Sequence, residues 1–366
     1  MRKHHLVLSA VNLTEGGPLT ILRDCLAAAK SMLLPDWKIT VLVHDAALID
    51  GDGVEVLAFP EVKAKWSRRM LFEWIQLRRI SRQLDADLWL SLHDITPVVS
   101  ARRQAVYCHN PALAYKVRPI DLLHSRTLVA MRLLYSYLYR INIHRNDFII
   151  VQHEWLRKIF EARYGVDNVI VAYPKLTLNA DSVAREPKRD ATTRFFFPAL
   201  PRPFKNLDVL FAAGALLWQR GVRGFEINVT VTPTENAYIG ALSRRYPELA
   251  CIRYLGRITY PQVQSLYKTV DAVLFPSTLE TWGLPISEAK SYNLPLICAD
   301  LPYAHETVGN YDNVAFCAPH LAEEWAERML SVIEGRWQPQ GAHRAPPAEL
   351  FAADWDSLLR RLTAGL

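Results

Sequence analysis

Short apolar blocks run along this 366-residue chain, separated by stretches with helical spacing. In the first half the blocks are His5–Val11, Ile39–His44, Val54–Phe59, Leu88–Leu92, Ala105–His109, Phe148–Gln152 and Val169–Tyr173. In the second half they are Phe195–Pro198, Glu226–Thr232, Ile252–Leu255, Ala272–Phe275, Pro295–Ala299 and Val314–Cys317. Between the first two blocks Leu19, Leu22, Leu26, Ala29 and Leu33 recur at helical spacing,. Helices are expected over Asn206–Arg220, Pro261–Lys268, Pro285–Asn293 and Ala322–Glu334. Strands alternating with helices twice over predict two α/β units with parallel sheets. The polar stretch Asn179–Thr193 reads as the linker or its flank, with the boundary near 174–193. A loose stretch, Gly335–Pro347, precedes a final helix carrying Leu350, Phe351, Trp355, Leu358, Leu359 and Leu362. The expected division is 1–175, 176–345 and a terminal helical segment, 346–366.

Length supports this division, since one core of typical size does not reach 366 residues,. Half of the residues are hydrophobic and 22% are charged, as in a globular chain,. No run approaches the roughly 18 apolar residues that cross a bilayer. The start, MRKHHLVLSAVNL, lacks a long apolar region and a cleavage site, and reads as a first strand instead of a signal peptide,. Five scattered cysteines (Cys25, Cys108, Cys251, Cys298 and Cys317) predict free thiols in a reducing cytoplasm, and no Cys or His spacing suits zinc,. The formal charge of +6 is concentrated: residues 63–145 hold 15 basic and 5 acidic side chains.

The segment Phe275–Glu288, FPSTLETWGLPISE, carries the most chemistry. Pro285 suits a first helical turn, because its missing N–H has no intrahelical partner there. The unpaired amides and dipole of such a helix start favour an anion such as a phosphate. Glu288 falls about one turn inside the helix and Glu280 on the preceding loop. Both carboxylates can accept hydrogen bonds from one ligand's hydroxyls while the amides hold its phosphates, which suits a nucleoside diphosphate sugar held without metal. Two solvated glutamates beside an ordinary turn are the plain alternative. The longer pattern Pro-Ser-x-x-Glu-x-x-Gly-Leu-Pro-x-x-Glu-Ala, followed by a Pro-containing strand and Asp300, resembles the Glu-x7-Glu motif of family-4 retaining glycosyltransferases of bacterial polysaccharide type. The resemblance is strong over 195–318 and loose over 1–175. It implies the GT-B fold: two Rossmann-like doubly wound domains facing across a cleft, with a C-terminal helix crossing back to the first. It also implies an acceptor-binding first domain, a nucleotide-sugar-binding second domain, and hexosyl transfer to a hydroxyl with retained anomeric configuration.

The resemblance extends to individual residues. Lys205, in FFFPALPRPFKNLDVL, matches the family's diphosphate-binding Lys, whereas Pro198 and Ala199 stand where many members carry an Arg. Arg202 is the nearest substitute. Glu280 would contact the sugar and Glu288 the ribose. Backbone near Thr281, Trp282, Gly283 and Leu284 would hold the diphosphate, together with Gly16 and Gly17 on the loop after the first strand. His109 matches a family His near the reacting bond, and His93-Asp94 ranks below it. Arg257 follows Gly256 where members hold the base. The expected catalytic set is His109, Glu280 and Lys205. The family generally lacks a protein nucleophile, and the usual proposal lets the leaving phosphate assist deprotonation of the acceptor.

Two Asp-x-Asp sequences, Asp50-Gly-Asp52 and Asp85-Ala-Asp87, imitate a metal motif. Asp85 and Asp87 precede a strand, whereas ligand sites lie at the carboxyl ends of parallel strands. No metal or other cofactor is therefore expected. Two stretches, Lys63–Leu84 and Leu122–Arg145, mix arginines with aromatic residues. They suit an anionic membrane surface or a lipid-linked oligosaccharide acceptor, or alternatively a core face with solvated arginines. The expected place is the cytoplasm or the cytoplasmic face of the inner membrane. No nucleic-acid motif is present. A nucleotide-sugar 2-epimerase and a catalytically silent partner subunit are the competing classes. The base, the sugar and the acceptor are not legible.

Overall fold

A computed structural model describes residues 3–14, 16–64, 66–114, 126–174, 186, 190–247 and 249–366 of the protein. Every expected strand is present, with ends differing by a few residues. The first sheet contains β1 (His4–Ser9), β2 (Trp37–Val43), β3 (Glu55–Ala58), β4 (Ala86–Ser91), β5 (Ala101–Cys108), β6 (Phe148–Val151), β7 (Val169–Ala172) and the short β14 (Phe351–Ala352). Its order is β14-β7-β6-β5-β4-β1-β2-β3. The second sheet contains β8 (Thr193–Phe197), β9 (Phe225–Val229), β10 (Ile252–Tyr254), β11 (Ala272–Phe275), β12 (Leu296–Ala299) and β13 (Val314–Cys317), in the order β10-β9-β8-β11-β12-β13. All described pairings between these strands are parallel. Helices on both faces bury such strands from both sides, which explains their nearly unbroken apolar runs.

The chain divides into two compact units. One comprises Met1–Ala114, Ala130–Lys175 and Pro347–Leu366; the main stretch of the other is Leu176–Pro346. In the first, helix Gly16–Leu33 turns Leu22, Cys25, Leu26, Ala29 and Leu33 into the core, the i, i+3, i+4, i+7 spacing of a helix lying on a sheet,. The final helix, Trp355–Thr363, shares that core through Trp355, Leu358, Leu359 and Leu362. Full burial of each such aliphatic side chain contributes about 1.5–3 kcal/mol. Asp354 caps its start, accepting from the Ser357 amide at 2.7 Å, and Arg103 donates to the carbonyls of Leu362 and Ala364 at its end. Leu350 and Phe351 do not belong to this helix, contrary to expectation. Phe351 pairs with Val171 as a strand, and Arg157 holds the approach by donating to the Glu349 carbonyl at 2.8 Å.

One further expectation needs revision. Gly16 and Gly17 lie in the first turn of their helix and not on a loop before it, and both are exposed. The basic stretch 63–84 is a broken run: a tight turn (Pro60–Ala64), helix Trp66–Leu71, a π-helical turn (Phe72–Gln76) and helix Leu77–Leu84. Its side chains divide between core and solvent: Phe72 and Leu77 are buried, Trp66, Leu71 and Ile75 exposed. The expected stretch Leu122–Arg145 is described only from Arg126 onward, and most of the expected linker lies outside the described residues. The helices Ala237–Arg245 and Pro302–Val308 carry no expectation from the sequence.

Candidate active site

In a parallel sheet, ligands bind beyond the carboxyl ends of the strands where the order reverses. In the second unit β9 lies on one side of β8 and β11 on the other, so the reversal falls between β8 and β11. Lys205 follows β8 and Glu280 follows β11, and the structure brings them together: Lys205 Nζ donates to Glu280 Oε1 at 2.5 Å. Their side chains are only 15% and 13% exposed, so the pair is shielded but reachable. The rings of Phe204 and Phe275 stand 5.8 and 5.9 Å from the ammonium and limit where it can swing.

Four hydrogen bonds hold this geometry. Thr278 donates from its amide to the Phe204 carbonyl at 2.7 Å, tying the Glu280 loop to the turn that carries Lys205. That turn, Pro203–Lys205, closes when the Lys205 amide donates to the Arg202 carbonyl. Asn206 then adopts the left-handed conformation (φ 57°), which Asn tolerates better than most residues,. From there its side-chain amide donates to the carbonyls of Pro276 and Pro319, at 3.2 and 2.7 Å, clamping the loops after β11 and β13.

Helix Leu284–Ser291 starts as the sequence predicts, with Gly283 before it at φ 84° and Pro285 in its first turn. A Cβ on Gly283 would stand 3.2 Å from the Phe275 ring, so only glycine satisfies both backbone and packing,. Thr281 and Leu284 flank this start. Trp282 faces inward: its side chain is buried, its indole N–H donates to Ser287 Oγ at 3.0 Å, and its carbonyl accepts from the Thr307 hydroxyl.

Glu288 takes different partners from Glu280. Its Oε2 accepts from the Tyr267 hydroxyl at 2.8 Å, and the Tyr260 hydroxyl also bonds to it. Burial raises this carboxyl above its ordinary range, while the two tyrosine hydrogen bonds act the other way. Tyr292 stacks on Tyr267 with centroids 5.4 Å apart. No described contact joins this aromatic carboxylate site to the Lys205–Glu280 pair. Arg202 is exposed and supplies its carbonyl, not its guanidinium, to the Lys205 turn. Arg257 is also exposed, follows the edge strand β10 and pairs with Glu235 at 3.1 Å.

In the first unit the reversal falls between β1 and β4. Ser9 ends β1, and its hydroxyl lies 3.1 Å from His93 Nε2. Glu73, on the π-helical turn, places Oε1 3.2 Å from the same nitrogen, and Arg69 donates to the His93 carbonyl at 2.8 Å. Burial lifts the Glu73 carboxyl to about 8, opposed by the Arg69 guanidinium, and presses the His93 imidazole well below its usual value. His109 follows β5; its amide donates to Asp94 Oδ1 at 2.8 Å, and its Nε2 stands 3.7 Å from Asp94 Oδ2. Gly16 and Gly17 belong to the same unit, with no described atom close to where a Cβ would sit.

The sequence reading missed Asn206 and Thr278 as clamps, and Tyr260, Tyr267 and Tyr292 around Glu288. Only the Tyr260/Tyr267 pair, seven apart on one helix, left a signal. Among the described residues no cluster of His, Cys, Asp and Glu has the geometry of a metal site. All five cysteines are free and buried. Asp50 pairs with Lys30, and Asp87 accepts from the His5 amide at the amino end of β4.

Residues 179–345 match the model of the family "Glycosyl transferases group 1". This stretch is a group 1 glycosyltransferase domain, and the chain is a glycosyltransferase of the GT-B fold. Among curated relatives, the O-antigen chain mannosyltransferase RfbU of Salmonella typhimurium is 20% identical over 262 residues, 71% of this chain and 68% of that one. Among solved structures, the lipopolysaccharide outer core galactosyltransferase WaaB is 16% identical with a TM-score of 0.63, covering 92% of each chain. Anabaena HepE, solved with UDP and glucose, is 15% identical with a TM-score of 0.58 over 90% of this chain and 89% of that one.

Proposed function

We propose that this protein transfers a hexosyl group from a nucleoside diphosphate sugar to a hydroxyl of a lipid-linked glycan during lipopolysaccharide or related surface-polysaccharide assembly, with retention of configuration. The carrying observation is the Lys205–Glu280 pair at the strand-order reversal of the group 1 domain. The donor's diphosphate sits against Lys205 and the amides at the start of helix Leu284–Ser291, with its sugar at Glu280. The bond from the anomeric carbon to the phosphate oxygen breaks, the acceptor oxygen forms its bond on the same face, and the acceptor proton passes to the departing phosphate. Lys205 stabilises the charge that develops on the diphosphate; one preorganised donor of this kind is worth about 2.7–4 kcal/mol. His109 acts on the sugar, the role that the family resemblance gives it. No metal is required in this scheme. The O-antigen, outer-core and UDP-bound relatives support the donor and acceptor classes.

The acceptor side uses the outer helices of the first unit. Helix Arg126–Arg140 exposes Leu133, Leu134 and Tyr137, and Ile141 follows on the same face. A cavity of about 230 Å³ beside them is lined by Arg132, Arg140 and Arg163 with Leu133, Tyr137 and Tyr164. Exposed apolar side chains bordered by arginines suit an anionic membrane surface. Among the described residues no helix is long and apolar enough to cross a membrane, so the proposed association is peripheral, at the cytoplasmic face of the inner membrane.

Melting the purified protein with UDP, GDP and dTDP in turn tests the donor reading. A nucleotide at 100 times its dissociation constant stabilises by about 2.7 kcal/mol. Failure of all three to raise the melting temperature would remove the proposal.

A further inference from the structure

We propose that Asp94 is the positioning residue for His109, an inference that rests on the role given to His109 above. Asp94 lies just beyond the end of β4 in the left-handed region (φ 70°), a conformation that costs a non-glycine residue energy and persists where surrounding contacts enforce it,. The enforcing contacts are visible on both sides. Its own amide donates to the Tyr107 carbonyl at 3.1 Å, stitching the turn to β5. The preceding residue, His93, is locked by Ser9, Glu73 and the Arg69 guanidinium on its carbonyl.

The strained backbone aims the carboxylate at the end of β5. Oδ1 accepts three hydrogen bonds: from the His109 amide at 2.8 Å, the Asn110 amide at 3.0 Å and the Tyr139 hydroxyl at 2.8 Å. The Tyr139 hydroxyl also reaches the Asn110 carbonyl at 3.0 Å, so the cradle grips both peptides after β5. With Oδ1 saturated the carboxylate cannot rotate, and Oδ2 is left 3.7 Å from His109 Nε2. The carboxylate thus faces one ring nitrogen, while Nδ1 has no hydrogen-bond partner among the described residues. A residue that fixes the backbone of the histidine and opposes one edge of its ring determines where the other edge points.

A double-mutant cycle on the full chain tests this, with turnover measured on nucleotide-sugar donor and glycan acceptor. Asp94→Asn keeps an acceptor oxygen for the two amides and the tyrosine hydroxyl but removes the charge opposite the ring. It is expected to lower kcat about tenfold to a hundredfold with the donor KM within about threefold of the parent. In a His109→Ala background the same substitution should cost nothing further, because residues acting through one another are not additive. An equal loss in both backgrounds, or a parental kcat for Asp94→Asn, overturns the proposal. Tyr139→Phe serves where Asp94→Asn does not fold: it removes one cradle donor and should lower kcat only while His109 is present. A loss in both backgrounds again overturns it. A parental kcat for His109→Ala itself would bring down the role of His109 and this inference with it, whereas failure at Asp94 alone leaves the His109 reading standing.

Discussion

Replacing Lys205 with Met, and Glu280 with Gln, separates the two halves of the ion pair at the proposed donor site. Without donor, Lys205 already has an anionic partner at 2.5 Å. A diphosphate must share or displace that partner, so its net gain is one charge-assisted hydrogen bond less the contact surrendered. A hydrogen bond to a charged group contributes about 1.5–3 kcal/mol. Lys205→Met is therefore expected to weaken nucleoside diphosphate binding by about tenfold to a hundredfold. Glu280→Gln should act in the opposite direction. It removes a competitor for the ammonium and a negative charge beside the bound diphosphate, so the same nucleotide should bind as tightly or more tightly, while sugar transfer falls. Lys205→Met also strands a carboxylate that is 13% exposed, and loses contacts with two aromatic rings worth about 0.5–1 kcal/mol each,. The double variant should recover much of that lost stability without recovering activity. Titration calorimetry with the nucleotide that stabilises the parent measures the affinities, and thermal melting the stabilities. Parental nucleotide affinity in a folded Lys205→Met protein would refute the placement of the diphosphate, and weakened affinity in Glu280→Gln would refute the competition argument.

Three further outcomes are expected. Glu73→Gln should change the pH dependence of stability: the folded carboxyl titrates near 8 against an ordinary 4.5, so the folded state binds the extra proton between those values. The stability contributed by the neutral acid is complete below about 4.5 and is lost as pH rises through about 8, with a limiting slope near 1.4 kcal/mol per pH unit. The parent should therefore lose ground to Glu73→Gln over that window in denaturant titrations, and parallel curves would contradict the assignment. Gly283→Ala should destabilise by about 1–3 kcal/mol through its φ of 84° and the 3.2 Å approach to Phe275, and should weaken nucleotide binding because Phe275 borders Lys205,; melting and calorimetry on one variant check both. Incubating the nucleotide-sugar donor without acceptor should yield no 2-epimer by NMR, and accumulation of epimer without transfer would favour the epimerase class.

The alternation of strands and helices was legible because parallel strands buried on both faces must be apolar throughout, and that demand is local. It failed where a demand was not local. Phe351–Ala352 forms a two-residue strand only because β7 offers an edge, and Leu350 and Phe351 sit at spacings that also fit the following helix. The donor side of the site was legible in part for the same reason. Gly283 and Pro285 announce a helix start in sequence, and Glu280 is fixed relative to that start by a few residues of chain. Its pairing with Lys205 had to come from topology, since 75 residues separate them and only the strand-order reversal brings β8 and β11 together.

Asp94 was legible only as the neighbour of His93 in a lower-ranked candidate pair, and the holding roles of Asn206 and Asp94 were not legible. Asn206 acts on carbonyls 70 and 113 positions away, and Asp94 on donors 15, 16 and 45 positions away. A polar side chain whose partners are backbone groups of distant loops leaves no periodicity and needs no particular neighbour in sequence. Both residues nonetheless share a physical mark. Each is a short polar residue in the left-handed region just past the end of a strand beside a strand-order reversal, or past the turn that follows one, and each uses its side chain to fasten adjacent loops. Asn and Asp tolerate that conformation and carry a hydrogen-bonding group close to the backbone, so they can turn the chain and tie it in one residue. The two sheets have thus met the same problem, how to hold loops rigid at the open end of a parallel sheet, with the same device. Disrupting either residue should loosen the site of its own unit first, before the sheet beneath it.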